Sequence, residues 1–346
     1  MNNSKDIVLT VDYHPNNMQI RSLNMCTGEE RCFKRPTTVD HILKVVVQAE
    51  VEALAVGGRV VWIMESTSGW ARVKDLLGTR IEFILANVLQ MPLPPKAYRR
   101  KTDKIDTQRI QREYLNGELP RAYQPSAWLR QVRRLVDLRQ DLTERQTMLR
   151  TWIWHYLKHE TWESAEYLWS GRGMARLKNM ALPAMDRLTM TLKLTELEQL
   201  GQLTATLEEE LMLVYKHWPE AQALDEVRGI GPVTAVTMLA YIGPIARFKT
   251  AEALISYAGL APGVHGSDQT RYSLRIGGGG THTALRYFVM QATHWLAEIP
   301  RYTTSHARVA AKRGKKVARL VVARMFLRSV HKMLRSGEAF TTGAAA

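Results

Sequence analysis

The chain has 346 residues, 45% apolar and 23% charged, which is enough to bury ordinary cores and too long for one small domain. Its 48 Lys and Arg against 33 Asp and Glu give a formal net charge of +15, which points to an acidic partner, nucleic acid ahead of an anionic membrane surface. No apolar run approaches the ~20 residues that span a bilayer. Two cysteines, Cys26 and Cys32, make neither a disulfide framework nor a CxxC zinc site, and the histidines hold no HExxH motif. The opening MNNSKDIVLTVDYH lacks a signal-peptide core, so a reducing, cytoplasmic and nucleoid-associated setting is expected.

Over residues 1–126 strand and helix patterns alternate, as in an α/β layer. IVLTVDY (7–13) is a β-rich run, and MQIRSLNM (18–25) alternates and reads as its hairpin neighbour. HILKVVVQAEVEALAVGG (41–58) has helical periodicity with a stop at Gly57-Gly58, and RVVWIME (59–65) is a buried strand. SGWARVKDLLG predicts a short helix, IEFILAN (81–87) a strand, MPLPPKAY a loop, and Thr102 to about Leu115 a helix. From Trp128 onward, Leu129, Val132, Val136, Leu142, Leu149, Trp152, Ile153 and Tyr156 keep to one helical face. LTELEQLGQLTATLEEELMLVY (194–215) repeats the pattern. Two such helices predict a coiled-coil or dimerisation arm over 127–220, with a third, mainly helical domain over 221–346.

Asp12 ends the first strand and Glu65 ends RVVWIME, while Asp103 and Asp106 are one helical turn apart. If the two strands are neighbours and the helix crosses their ends, four carboxylates converge. Like charges that close raise one another's pKa unless a hard divalent cation such as Mg²⁺ relieves them. Such ions can brace the attacking and leaving oxygens of a phosphodiester. The flanking Arg99, Arg100, Lys101, Lys104 and Arg109 would then hold phosphates. Read singly, a strand-end Asp is a turn former and a DxxD pair a solvated helix face.

VRGIGPVTAVTML (227–239) has the glycine spacing of a helix-hairpin-helix turn, or of an ordinary helix corner. Residues 301–335 carry eleven Lys or Arg and no acid, which predicts a basic helix, with Lys312, Arg313, Lys315 and Lys316 clustered for phosphate contact. Trp128, Trp152, Trp154, Trp162 and Trp169 offer rings for unpaired RNA bases, although core packing is the commoner use.

Asp12 in VLTVDYH, Glu65 in WIMESTSGW and the pair in RRKTDKID resemble the DEDD set of the insertion-sequence one-hundred-ten family of transposases, whose members include bridge-RNA-guided recombinases. LDEVRGIGPVTAVTMLAYIG, FKTAEALISYAGLAPG and the serine segment after them extend the resemblance to the second half of the chain. It implies an RNase-H-like, RuvC-type first domain, Mg²⁺ held by Asp12, Glu65, Asp103 and Asp106, and a nucleophilic serine. Matching PG…S…R…H-x-x-LR puts that serine at Ser267, with Arg271 and Arg275 stabilising charge at phosphorus. The sequence departs from the family at Asp268, where a Gly is usual, and at the GGGG run, where a Lys-Gly pair is usual. Ser273 is a rival nucleophile, and His265 stands close enough in sequence to assist. The resemblance further implies DNA as substrate, a structured guide RNA, and a tetramer built from dimers.

Two other readings fit the same residues. One is a metal-dependent nuclease or junction resolvase in which water attacks; the other is a non-catalytic nucleic-acid scaffold.

Overall fold

Six of the seven residues of β1 (Ile7–Tyr13) are buried, as in a strand covered on both faces. The computed structural model describes residues 5–92, 103–161, 167–261, 263–267, 270–274 and 283–340; at 104, 160, 161, 263–267, 270–274, 283 and 284 it describes the backbone alone. They divide into two compact units, Met1–Gln124 and Pro125–Ala346.

In the first unit β1, β2 (Asn17–Asn24) and β3 (Glu30–Pro36) form an antiparallel meander. The chain then crosses through α1 (Val39–Val56) to β4 (Val60–Glu65), parallel to β1 on its other side. A second crossover, α2 (Trp70–Leu77), leads to β5 (Glu82–Ala86), giving a five-stranded mixed sheet of order β3-β2-β1-β4-β5. This order and these directions are compatible with an RNase-H-like fold. The period-two alternation of side chains sorts the core. Ile7, Leu9, Val11, Val60, Trp62 and Met64 pack under α1 and α2. Val8, Val61, Ile63 and Ile84 face the other way, against Ile110 of α3 (Asp103–Leu115). At the amino ends of these strands the acids are paired internally, Arg59 meeting Asp6 at 3.5 Å and Glu82 at 3.2 Å.

The strand ERCFKRP gives no strand signal in the sequence because four of its seven residues are charged and its half-buried positions are Arg31 and Phe33, so no apolar–polar alternation shows. It is an edge strand, and charged side chains are what an edge carries to avoid pairing with other chains.

The second unit is mostly helical. α4 (Ala127–Tyr156) and α6 (Ala184–Lys216) run antiparallel, tied by Arg139 to Glu208 and by Gln146 to Thr204 at 2.7 Å. Leu142, Leu149 and Ile153 of α4 share a core with Leu177 of α5 (Gly171–Asn179) and with Met190, Leu194 and Leu197 of α6. After α7 (Pro219–Asp225), α8 (Pro232–Ile242) is buried at every residue from Ala235 to Ile242. Its last carbonyls lack intrahelical donors. Arg133 of α4 meets Ala240 at 2.7 Å and Tyr241 at 3.2 Å, and Arg247 meets Ile242 at 2.8 Å. Next come α9 (Ala251–Tyr257) and a hairpin of β6 (Gly263–Ser267) with β7 (Thr270–Leu274). The segment around Ser267, polar and glycine-flanked as a loop is, is thus strand-paired. The chain ends in α10 (Thr283–Leu296), α11 (Pro300–Arg313) and α12 (Lys315–Ser336).

The basic tail, expected as one helix, is two, broken at Gly314 with φ 83°. Nor is it wholly a solvated face. Ala318, Val322, Phe326, Leu327 and Val330 are buried, and Arg324 and Arg335 donate to the carbonyls of Leu260 and Lys249. No described helix is long and apolar enough to cross a membrane.

Gly229 turns the chain between α7 and α8 with φ 89°, and a Cβ there would lie 2.4 Å from Cβ of Trp295. Left-handed backbone costs an L-residue about 1–2 kcal/mol, and the contact with α10 adds to it. Gly229→Ala is therefore expected to lower the unfolding free energy by about 2 kcal/mol or more, read as a lower urea midpoint at unchanged m-value.

Candidate metal centre

Because β1 and β4 are parallel with Val11 beside Met64, the next residues, Asp12 and Glu65, are neighbours at the carboxyl ends of the two strands. Both belong to the parity that faces α3, continuing Val8 and Thr10 on one strand and Val61 and Ile63 on the other. The chain leaves β1 toward β2 on one side and reaches β4 on the other, and such a switch point in an open sheet is where ligands bind.

α3 starts at this point. Asp103 opens it, its carbonyl accepting from the buried Thr107 hydroxyl at 3.1 Å. The four-residue turn after β1 brings back His14, held by its amide on the Asn17 carbonyl at 3.0 Å and by the Thr37 hydroxyl on its own carbonyl at 2.7 Å. The imidazole Nε2 of His14 lies 3.5 Å from Oδ2 of Asp12 and 3.9 Å from Oδ1 of Asp103. Lys34 of β3 reaches the other oxygen of Asp103 at 3.4 Å. Ligand atoms of Asp12, His14 and Asp103 all lie within 4.8 Å of one another, the spacing of groups that can share a metal ion.

Asp12 is only 9% exposed. Burial pushes its carboxyl above the ordinary value of 3.8; His14 pulls it down, while Asp103 and then Asp106 push it further up. A cation among these groups would offset both the desolvation and the repulsion. Two buried acceptors beside Asp12 also have no hydrogen-bond partner among the described residues, Oγ1 of Thr10 on the same strand face and Oε1 of Gln19, the residue paired with Asp12. The donor set therefore fits a hydrated divalent cation.

Of the sequence-predicted set, the structure brings Asp12 and Asp103 together, puts Asp106 within electrostatic reach of Asp12, and seats Glu65 on the adjoining strand end. Arg99, Arg100, Lys101 and Arg275 lie outside the described residues, as do the side chains of Lys104, Ser267, Arg271 and Ser273. In the backbone, Ser267 closes β6 opposite Thr270, and Ser273 pairs with Val264. Lys312, Arg313, Lys315 and Lys316 are exposed on either side of Gly314. The sequence reading missed His14 and Lys34. His14 stands two residues from Asp12, a signal available to a search for mixed ligands; Lys34 lies on the strand that went unread.

Residues 221–307 match the family model described as Transposase IS116/IS110/IS902 family. The matched part runs from α7 into α11 and includes the β6–β7 hairpin. No curated protein matches the chain significantly. The family match supports a transposase of this kind, an enzyme that cleaves and rejoins DNA.

The raised Asp12 carboxyl has a consequence for stability. The native state holds this proton to higher pH than the unfolded chain, so metal-free stability falls as pH rises through the window from 3.8 to the raised value, and stays lowered above it. Asp12→Asn should therefore raise the neutral-pH Tm of metal-free protein by a few degrees and remove this part of the pH slope. Scanning calorimetry in chelator between pH 3 and pH 8 reads both effects.

Proposed function

We propose that this transposase cleaves and rejoins DNA through a covalent serine–DNA intermediate formed by Ser267, with Mg²⁺ held by Asp12, Glu65, Asp103 and Asp106, and that a structured guide RNA selects the DNA partners. The observation that carries the reading is the convergence of Asp12, His14 and Asp103 ligand atoms within 4.8 Å at a sheet switch point, in a chain whose second unit carries the transposase match. His14 joins the proposed ligand set.

In this reading the Ser267 hydroxyl attacks phosphorus and gives up its proton. An Oγ–P bond forms as the bond to the 3′ oxygen breaks, leaving a 5′-phosphoserine ester and a 3′-hydroxyl. A 3′-hydroxyl from a second strand then attacks the ester, restoring the phosphodiester and releasing the serine. The phosphodiester count is unchanged, so no outside energy source is needed. A divalent cation, when bound, supplies positive charge beside the scissile phosphate. The chain's own part is to hold that charge in place. Asp12 and Asp103 present oxygens toward a shared point, and His14 from the turn and Lys34 from β3 keep Asp103 oriented through its two different oxygens. Arg271 and Arg275 would stabilise the charge that develops at phosphorus.

The formal charge of +15 supports a polyanionic partner, which DNA and a guide RNA both are. The paired helices α4 and α6 form the proposed coiled-coil arm, through which copies would assemble as a dimer of dimers.

Purified protein with co-expressed RNA, Mg²⁺ and donor and target plasmids is expected to give recombinant DNA and a DNA-linked protein band on denaturing gels. Ser267→Ala should abolish both without lowering Tm, and Asp106→Asn should slow recombination at least about 100-fold, the scale of losing one group that stabilises developing charge. Cleavage that survives Ser267→Ala would move the reading to water as nucleophile; recombination indifferent to ribonuclease would remove the guide RNA.

A further inference from the structure

At the distal end of the helical hairpin in the second unit, a cavity of about 780 Å³ opens between the last turns of α4 and the segment that starts α6. Two stacked ring pairs line it. Trp152 and Tyr156 lie 5.3 Å apart with planes at 16°, and His155 and His159 lie 5.6 Å apart at 18°. Ala181, Leu182 and Pro183 form the apolar remainder of the wall, and Asp186 is the acid on it.

Core packing accounts for only part of this. Trp152 and Tyr156 touch the leucine core of the hairpin but stay half exposed, while both histidines are fully on the surface. Cations stand over the rings. Nζ of Lys193 sits 4.5 Å from the centre of Trp152, and Nζ of Lys158 sits 4.8 Å from the centre of the adjoining Trp154. The backbone is also unusual here. α4 passes at Leu157–Thr161 into a π-helical turn, a wider winding that recurs at functional sites. It alters the helical phase just where His159 is presented. The histidines and Asp186 do not converge as a metal group; among the described residues only Asp12, His14 and Asp103 do so.

Half-exposed flat rings beside lysines, around a cavity of ligand size, have one ligand chemistry in common: an unpaired nucleobase next to its backbone phosphate. The base offers a π-face to Tyr156 or the histidines, and an exocyclic amine that the Asp186 carboxylate can accept from. The phosphate meets the ammonium groups of Lys158 and Lys193, which already stand over the indoles of Trp154 and Trp152. A duplex cannot enter, because its bases are stacked on each other and leave no face for a ring. We infer that this pocket binds an unpaired base of a single-stranded nucleic acid. RNA and DNA share that chemistry. The inference is independent of the strand-transfer reading, since the pocket contains none of its residues.

The test uses full-length Ser267→Ala protein, so that binding is read without turnover and a failure of the serine chemistry leaves the result intact. Fluorescence anisotropy with a labelled 12-nucleotide single strand, once as RNA and once as DNA, is compared with a duplex of the same sequence at fixed salt. Adding Tyr156→Leu should weaken single-strand binding about 5- to 150-fold, the range for losing one stacked base, with duplex affinity changed less than about twofold. Because Tyr156 also touches the core, Lys193→Ala and His159→Ala are run beside it. Each should weaken single-strand binding several-fold at unchanged Tm. Photocrosslinking with a 4-thiouridine or 4-thiothymidine strand should label the peptide spanning residues 150–159. A loss confined to RNA assigns the pocket to RNA, and a loss confined to DNA assigns it to an unwound DNA strand. The inference fails if Lys193→Ala and His159→Ala both bind single strands like the parent, if single-strand and duplex affinities fall together, or if the crosslinks lie only elsewhere.

Discussion

The parallel register of β1 against β4 is the constraint that sets Asp12 beside Glu65 in the candidate metal centre. Side chains in a strand alternate with a period of two, so a slip of one residue would turn Asp12 into the face covered by α1 and α2. What prevents it is apolar burial. Ile7, Leu9, Val11, Val60, Trp62 and Met64 all fill that face, and each fully buried side chain of this size is worth about 1.5–3 kcal/mol. A slip would forfeit most of that. The acids therefore sit where the hydrophobic core leaves them, and the cost of desolvating Asp12 is carried by packing on the opposite side of the sheet.

In the second unit a comparable constraint lies at the end of α8. A helix buried through its last two turns must have its terminal carbonyls satisfied from outside. Arg133 and Arg247 supply guanidinium donors at the negative end of the helix dipole, and the Tyr257 hydroxyl adds a third donor to Tyr241 at 3.0 Å. The Tyr241 hydroxyl donates to Asp137 and is held far above its ordinary pKa, first by burial and then by that bond, so it remains a donor at any working pH. The transposase match begins just before α8, and this network anchors α8 to α4 and to the turn that follows it.

Much of the first unit could be read from the sequence because its signals were local and strong. IVLTVDY, RVVWIME and IEFILAN are apolar runs bounded by breakers, and Gly57 stops α1 with φ 68° as expected. β3 is not legible because its inward positions are Arg31 and Phe33, one of them charged, and Lys34 is hidden with it. Asp12, Glu65 and the DxxD pair could be named as a set, but nothing in sequence spacing states that β1 and β4 share a register. His14 was overlooked because the search was for carboxylates alone. The hairpin at Ser267 is rich in glycine and polar residues, a composition that signals turns rather than strands. His155 and His159 have the HxxxH spacing, one helical turn apart, which the sequence reading did not register, and the structure gives the two rings a stacking partnership.

Net charge alone overstates how much of this surface is available to phosphate. Of the cations that make up the +15, several are partnered by the protein itself: Arg133 and Arg247, half-buried, at the end of α8, Arg324, half-buried, on the carbonyl of Leu260, and on the surface Arg59 with Asp6 and Glu82 and Arg328 with Glu252. A half-buried guanidinium on a carbonyl contributes to the long-range field but offers little of itself to a ligand. Lys312, Arg313, Lys315 and Lys316 are different, exposed around a helix break where side chains diverge from both α11 and α12. A polyanion would then be attracted by the whole molecule and gripped by a smaller set of groups. The same division explains how a basic protein can keep an acidic pocket. At this site Lys34 reaches Asp103 and His14 is itself a candidate ligand, while burial first, and then Asp103 and Asp106, hold the Asp12 carboxyl above its ordinary value, so the group can favour a cation within a field that draws in phosphate.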